Sequence, residues 1–132
     1  MAMTAIHIAA TDRSPEVAFD FEAGQFAIKG ESYPEDTARF FGPLLQSLRE
    51  FVDSENPRRI TFDITLQYFN SSSAKALMNL FQLLENAAKD GHDATVNWHY
   101  GEDDDAMQEF GEDFAQDFDG CAFNLCPDVV EA

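Results

Sequence analysis

The sequence predicts an α/β two-layer sandwich, a mixed β-sheet whose helices all pack on one face. Three observations predict it. Segments of strict apolar/polar alternation are interleaved with segments of helical spacing along the chain. The strands alternate instead of being apolar throughout, so one sheet face stays wet and the helices must share the other. Hydrophobic residues make up 45%, with 13 Phe among them, which is enough to build a core despite a high charge.

Taken in order, a weak strand is expected over Ala5–Ala9. Val17, Phe19 and Phe21 alternate with polar or small neighbours, and so do Phe26 and Ile28. Glu22-Ala23-Gly24 links these two runs as a tight hairpin. The first helix carries Phe40, Phe41, Leu44, Leu45, Leu48, Phe51 and Val52 on one stripe. Pro34 is expected as its first residue, and Gly42-Pro43 should kink it or restart it. Ile60, Phe62, Ile64, Leu66 and Tyr68 then form the buried side of the best strand. A second helix follows, with Leu77, Leu80, Phe81, Leu84 and Ala88 on its stripe and its end near Gly91. Ala94, Val96, Trp98 and Tyr100 mark another strand. Met107, Phe110, Phe114 and Phe118 mark an acidic third helix, and a last strand is expected over Ala122–Leu125. At 132 residues, with no repeat, low-complexity stretch or linker, residues 1–132 are expected to form a single domain.

The charge narrows the function. With 25 acidic and 8 basic residues, the formal net charge is −17. Such a surface repels phosphate backbones and anionic lipids, so neither nucleic acid nor a membrane is expected as partner, and a basic protein partner is favoured. No apolar run is long enough to span a bilayer. Met1 to Ala10 show no basic cluster followed by an apolar stretch, so no signal peptide is expected and the protein is expected in the cytoplasm. Cys121 and Cys126 are too few for a disulfide framework and poorly spaced for zinc.

No catalytic constellation stands out. The chain has no nucleophile elbow, phosphate-binding glycine loop or dinucleotide fingerprint. His7, His92 and His99 are scattered, and His99 falls on a wet strand face. The acids from Glu102 to Asp119 suggest calcium, but a loop starting at Asp103 would need Gly at 108 and Glu at 114, and has Gln108 and Phe114. Neither a metal nor a cofactor is expected, and the chain does not read as an enzyme.

The junction from Tyr68 to Lys75 is the most informative stretch. It leaves the best strand and opens the second helix through Asn70-Ser71-Ser72-Ser73. Asn and Ser cap helices because their side-chain oxygens accept from otherwise unpaired backbone N–H groups. Three serines exceed what capping needs. A phosphate on one of them would sit at the positive end of the helix dipole, with a gain of roughly 0.3–1 kcal/mol at an exposed end. It would also add about −1.5 to −2 charge where a partner could dock. The turn Tyr33-Pro34-Glu35-Asp36 enters the first helix at an equivalent strand-to-helix handover, and such turns can form one surface.

These residues resemble the SiaC family of bacterial regulatory phosphoproteins, whose fold is STAS-like. Gly30-Glu31-Ser32-Tyr33-Pro34-Glu35-Asp36 is similar to the family's Gly-x-Ser-x-Pro-Glu-Asn, and Phe41-Gly42-Pro43-Leu44 to its Phe-Tyr-x-Pro-Leu helix. The junction through Tyr68-Phe69-Asn70-Ser71-Ser72-Ser73-Ala74-Lys75 is similar to Tyr-Phe-Asn-Thr-Ser-Ser-x-Lys. Trp98-His99-Tyr100, followed by an acidic segment with Gly111-Glu112-Asp113-Phe114, adds a fourth likeness, so the resemblance extends from about Pro15 to Phe123. It implies a phosphorylation cycle. A dedicated Ser/Thr kinase modifies the residue after the junction Asn, and a PP2C-type phosphatase reverses this. The unmodified form activates a diguanylate cyclase, and so controls cyclic-di-GMP and aggregation or biofilm growth. The position concerned is Ser71, where the family often has Thr, with Ser72 and Ser73 as fallback acceptors. Tyr33, Pro34, Glu35, Asp36, Asn70, Ser72 and Lys75 are the expected partner contacts, and Asp36 departs from the usual Asn. The rival reading is a STAS-like module that binds a small ligand or divalent metal, in a pocket on the open sheet face or among the acids of the third helix.

Overall fold

Alternation along the strands builds a six-stranded sheet in the order β1 to β6, which is also chain order. The computed structural model describes residues 5–54 and 56–128; the first four residues of the segment read for a leader lie outside the described residues. The elements are β1 (Ile6–Ile8), β2 (Glu16–Asp20), β3 (Gln25–Ser32), α1 (Thr37–Ser54), β4 (Arg59–Phe69), α2 (Ser71–Lys89), β5 (Asp93–Gly101), α3 (Asp105–Ala115) and β6 (Ala122–Asp128). β1, β2 and β3 pair antiparallel, and β3 through β6 pair parallel. The sheet is therefore mixed, and its three helices lie on one side, as the alternation predicts.

The buried strand residues and the helix stripes share one core. Phe19, Phe26, Phe62, Ile64, Val96 and Trp98 are at most 2% exposed, and Leu48, Phe51, Leu77 and Phe81 meet them from the helices. Each such side chain contributes about 1.5–3 kcal/mol through burial. Phe26 stacks on Phe62 with ring centroids 5.6 Å apart, and Phe19 meets both edge-on. Gly111 lets α3 lie close to β5, since a Cβ there would meet Trp98 Cδ1 at 2.5 Å. The Trp98 indole N–H donates to the Met107 carbonyl, 2.9 Å away.

Several expectations are corrected. α1 begins at Thr37, not Pro34, because Asp36 is the cap: its Oδ1 accepts from Arg39 N (3.1 Å) and its carbonyl from Phe40 N (3.1 Å). Pro43 neither ends nor restarts α1, which runs unbroken from Thr37 to Ser54. The carbonyl that loses its partner there belongs to Arg39, an exposed residue that water can reach. α3 stops at Ala115, before Phe118, and Phe110 is 45% exposed instead of joining the buried stripe. Tyr68 is 50% exposed, although alternation from Ile60 places it inside. Pairing between β3 and β4 passes from Gly30↔Leu66 to Glu31↔Tyr68, leaving Gln67 unopposed. That bulge reverses the parity of the strand, so Tyr68 turns out and Phe69 turns in. Gly30, at φ 122°, takes up the backbone conformation on the partner strand.

The topology gathers the parallel strands' outgoing ends. The C-terminal ends of β3, β4 and β5 lie along one sheet edge, so α1, α2 and α3 all start there. The Tyr33–Asp36 turn, the serine junction and the acidic turn before α3 thus share that edge.

Candidate functional site

The site is built on the N-terminus of α2. Asn70 is its cap, in extended conformation, and its Oδ1 accepts from the N–H of Ser73 at 2.9 Å. Its carbonyl accepts from Ala74 N at 2.9 Å, and its own N–H donates to the Ser32 carbonyl at 3.0 Å. The last bond ties the start of α2 to the end of β3. Among the described residues nothing accepts from the N–H groups of Ser71 and Ser72, so two donors of the first turn remain open.

The three serines are not equivalent. Ser71, the first helical residue, is exposed, and among the described residues its hydroxyl has no protein partner. Ser72 is exposed too, but its hydroxyl shares a hydrogen bond with Thr37 Oγ1 at 2.7 Å and donates to Asn70 Oδ1 at 3.1 Å. Ser73 is fully buried and shares a hydrogen bond with the equally buried Ser32 hydroxyl at 2.8 Å. That burial takes Ser73 out as a fallback acceptor. Lys75 lies four residues after Ser71, on the same helix face, exposed and with no ion pair among the described residues.

The other partner-contact candidates gather beside this turn. Tyr33 packs edge-on against Tyr68, with centroids 5.6 Å apart, and its N–H donates to the Arg13 carbonyl at 2.6 Å. Pro34 is half-buried behind it. Glu35 pairs with Arg13 at 3.3 Å, both largely exposed. Asp36 is occupied as the α1 cap, which explains how an acid serves at a position where the resembled family has Asn. Thr37 links this turn to Ser72, and a groove of about 400 Å³ runs from them between α1 and α2, past Phe41, Leu45, Lys75 and Ala76.

Thr37, Ser32 and Tyr68 border this turn and Phe110 packs on Phe69 at the end of β4, and none of them was among the sequence candidates. The adjacent aromatics Tyr68-Phe69 were the available signal, since an alternating strand cannot bury both. Thr37 carries no local signal, and Ser32 only its place in the Gly30–Asp36 motif, because their partners are 35 and 41 residues away.

Other chemistry finds little footing. Burial pushes the Cys121 thiol up to about 11, and burial also raises Cys126, so neither is poised as a thiolate. Among the described residues, no group of three or more His, Cys, Asp and Glu side chains is arranged to hold a metal ion. A hollow of about 580 Å³ lies by His7, Ala18, Ala27 and Asp63, where the ligand-binding alternative expects a pocket. Among the described residues no buried side-chain polar atom lacks a partner, so no buried group is left waiting for a ligand. No helix of the described residues is long and apolar enough to cross a membrane.

Comparison with known proteins agrees with this fold. The family model described as SiaC family regulatory phosphoprotein matches residues 8–128. An uncharacterised protein of Pseudomonas aeruginosa strain UCBPP-PA14 is 33% identical over 121 residues, 92% of this chain and 93% of that protein. The solved structure of SiaC of Pseudomonas aeruginosa superposes with TM-score 0.83 at 31% identity, covering 97% of this chain and 100% of that one. A structure of the diguanylate cyclase SiaD in complex with its activator SiaC, from the same organism, matches with TM-score 0.84 at 31% identity over 95% of this chain and 99% of the matched one.

Proposed function

This chain belongs to the SiaC family of regulatory phosphoproteins, and from that premise we propose that it is a partner-activating switch, without catalysis of its own, set by phosphorylation of Ser71. In the unmodified state it binds and activates a diguanylate cyclase in the cytoplasm, and so raises cyclic-di-GMP. A Ser/Thr kinase phosphorylates Ser71 and dissociates the pair, and a PP2C-type phosphatase resets it. Ser72, Lys75, Asn70 and the Tyr33–Asp36 turn form the surrounding contact surface.

The observation that carries this reading is the difference among three consecutive serines. Only at Ser71 does the hydroxyl combine exposure with freedom from protein partners among the described residues, beside two open backbone N–H groups. A phosphate there gains from the helix dipole and from Lys75 one turn on, so the fold tolerates it. It places new bulk and charge at the edge where the strands hand over to helices. The solved complex of SiaD with SiaC supports a cyclase as the class of partner.

The test is intact-mass and peptide analysis of protein recovered from its native cells across growth conditions. A phosphate on Ser71, removable by a PP2C-type phosphatase, is expected. Its absence from Ser71 under every condition overturns the proposal.

A further inference from the structure

Tyr68 and Phe110 are the exposed large hydrophobics among the described residues, 50% and 45% exposed, and both lie at the end of β4: Tyr68 belongs to it and Phe110 packs on Phe69. One exposed aromatic needs no explanation. Two at one edge, one of them turned out by a bulge that breaks strand parity, form a patch of the kind that marks interaction sites. Tyr68 lies against Tyr33 on the outer side of β4. Phe110 lies over the Phe69 ring on the helix side, with centroids 4.9 Å apart. Only the cap Asn70 separates these two β4 residues from Ser71, so the aromatics lie on the two sides of the strand end that leads into it.

Acids rim the same edge. Glu35, Asp36, Glu102, Asp103, Asp105 and Glu109 are all exposed there. The cations nearby are Arg39, Lys75 and Arg13, the last already paired with Glu35.

We infer that Tyr68 and Phe110 form an aromatic saddle around Ser71, rimmed by acids, which receives a partner protein segment of apolar side chains flanked by Lys or Arg. This rests on the proposed switch and adds how it works. The acidic rim commits the occupant to positive charge, and a second copy of a chain at −17 is disfavoured by repulsion. The rim also raises a question of sign. Adding a phosphate to an acidic surface strengthens long-range attraction for a basic segment, so release must come from short range. Between two aromatic anchors the phosphate has to be stripped of water when the apolar contact forms, and that contact is lost. The acids therefore govern encounter, while the aromatics and Ser71 govern residence.

Stopped-flow or surface-binding kinetics with purified SiaD of Pseudomonas aeruginosa as the probe separates these roles. Tyr68→Ala and Phe110→Ala are each expected to speed dissociation about 10- to 100-fold at an unchanged association rate. Glu102→Gln, Asp103→Asn and Asp105→Asn together are expected to slow association about 3- to 10-fold at low salt and to flatten its salt dependence. Ser71→Asp is expected to speed dissociation without slowing association. Circular dichroism melts show whether each variant keeps the fold; should Phe110→Ala fail to fold, Tyr68→Ala and the charge set still decide. Faster release by Ser71→Asp, with both folded aromatic variants behaving as the unmodified protein, overturns the saddle and leaves the switch. Failure of the unmodified protein to bind SiaD or any diguanylate cyclase of its own cells overturns both. Self-association in sedimentation that Phe110→Ala dissolves assigns the saddle to a second copy and overturns the inference.

Discussion

The two ends of α2 treat polar groups in opposite ways. At its N-terminus, Ser71 is exposed, and two N–H groups are held open beside it. Toward its C-terminus, Glu85 is 5% exposed and fully occupied. Its carboxylate accepts from Cys121 N at 2.8 Å, from Gly120 N at 2.9 Å and from Asp119 N at 3.4 Å, clamping the α3–β6 loop onto α2. These backbone bonds, Cys121 first and Gly120 next, hold the Glu85 carboxyl below its usual 4.5 against the opposing effect of burial. One helix thus carries a permanent charge that structure has consumed and a neutral site able to receive a charge. A switch can be placed only where the fold does not depend on the group being switched.

The sharpest way to break the contrast is at the occupied end. Glu85→Ala leaves three backbone donors without their acceptor and is expected to cost about 3 kcal/mol in chemical denaturation. The pH dependence has a definite sign. A carboxyl lowered in the folded state adds stability that is present above the unfolded value near 4.5 and lost as pH falls through the lower folded value. Melts of Glu85→Gln against the parent should converge below that window and diverge above it. A constant gap at all pH values would show that Glu85 acts only through packing.

An intermediate effect is expected two residues from the proposed switch. Ser73→Ala strands the buried Ser32 hydroxyl and should cost about 1–2 kcal/mol, with much of it recovered in the Ser32→Ala/Ser73→Ala pair. The smallest effect belongs to Ser71 itself. Ser71→Ala should change stability by less than about 0.5 kcal/mol, and Ser71→Asp should be neutral or stabilise by roughly 0.3–1 kcal/mol through the helix dipole. A large loss from either would place Ser71 among the structural residues and erase the difference between the two ends.

The fold class was readable because alternation and helical spacing are local patterns, and they persist through β2, β4, β5 and α2. The faults lie where long-range pairing overrides them. The bulge at Gln67 falls where the β3 register shifts between Gly30 and Glu31, so the alternation within β4 does not by itself announce that Tyr68 faces water. Pro34 looked like a helix start because its φ suits one, yet Asp36 supplies the acceptor that caps the helix. The location of the proposed switch was legible as a run of serines after Asn70. Which serine stays open was not, since Ser72 and Ser73 are engaged by Thr37 and Ser32 from another strand-to-helix turn.

The most direct trial of the central claim is a titration of a diguanylate cyclase partner with two forms of this protein, unmodified and stoichiometrically phosphorylated at Ser71, with melts of both recorded alongside. Weakening by about 1–3 kcal/mol, which is 5- to 150-fold in dissociation constant, at an unchanged or slightly raised melting temperature is the predicted result. Equal affinity for the two forms, or weakening accompanied by loss of the fold, would contradict it.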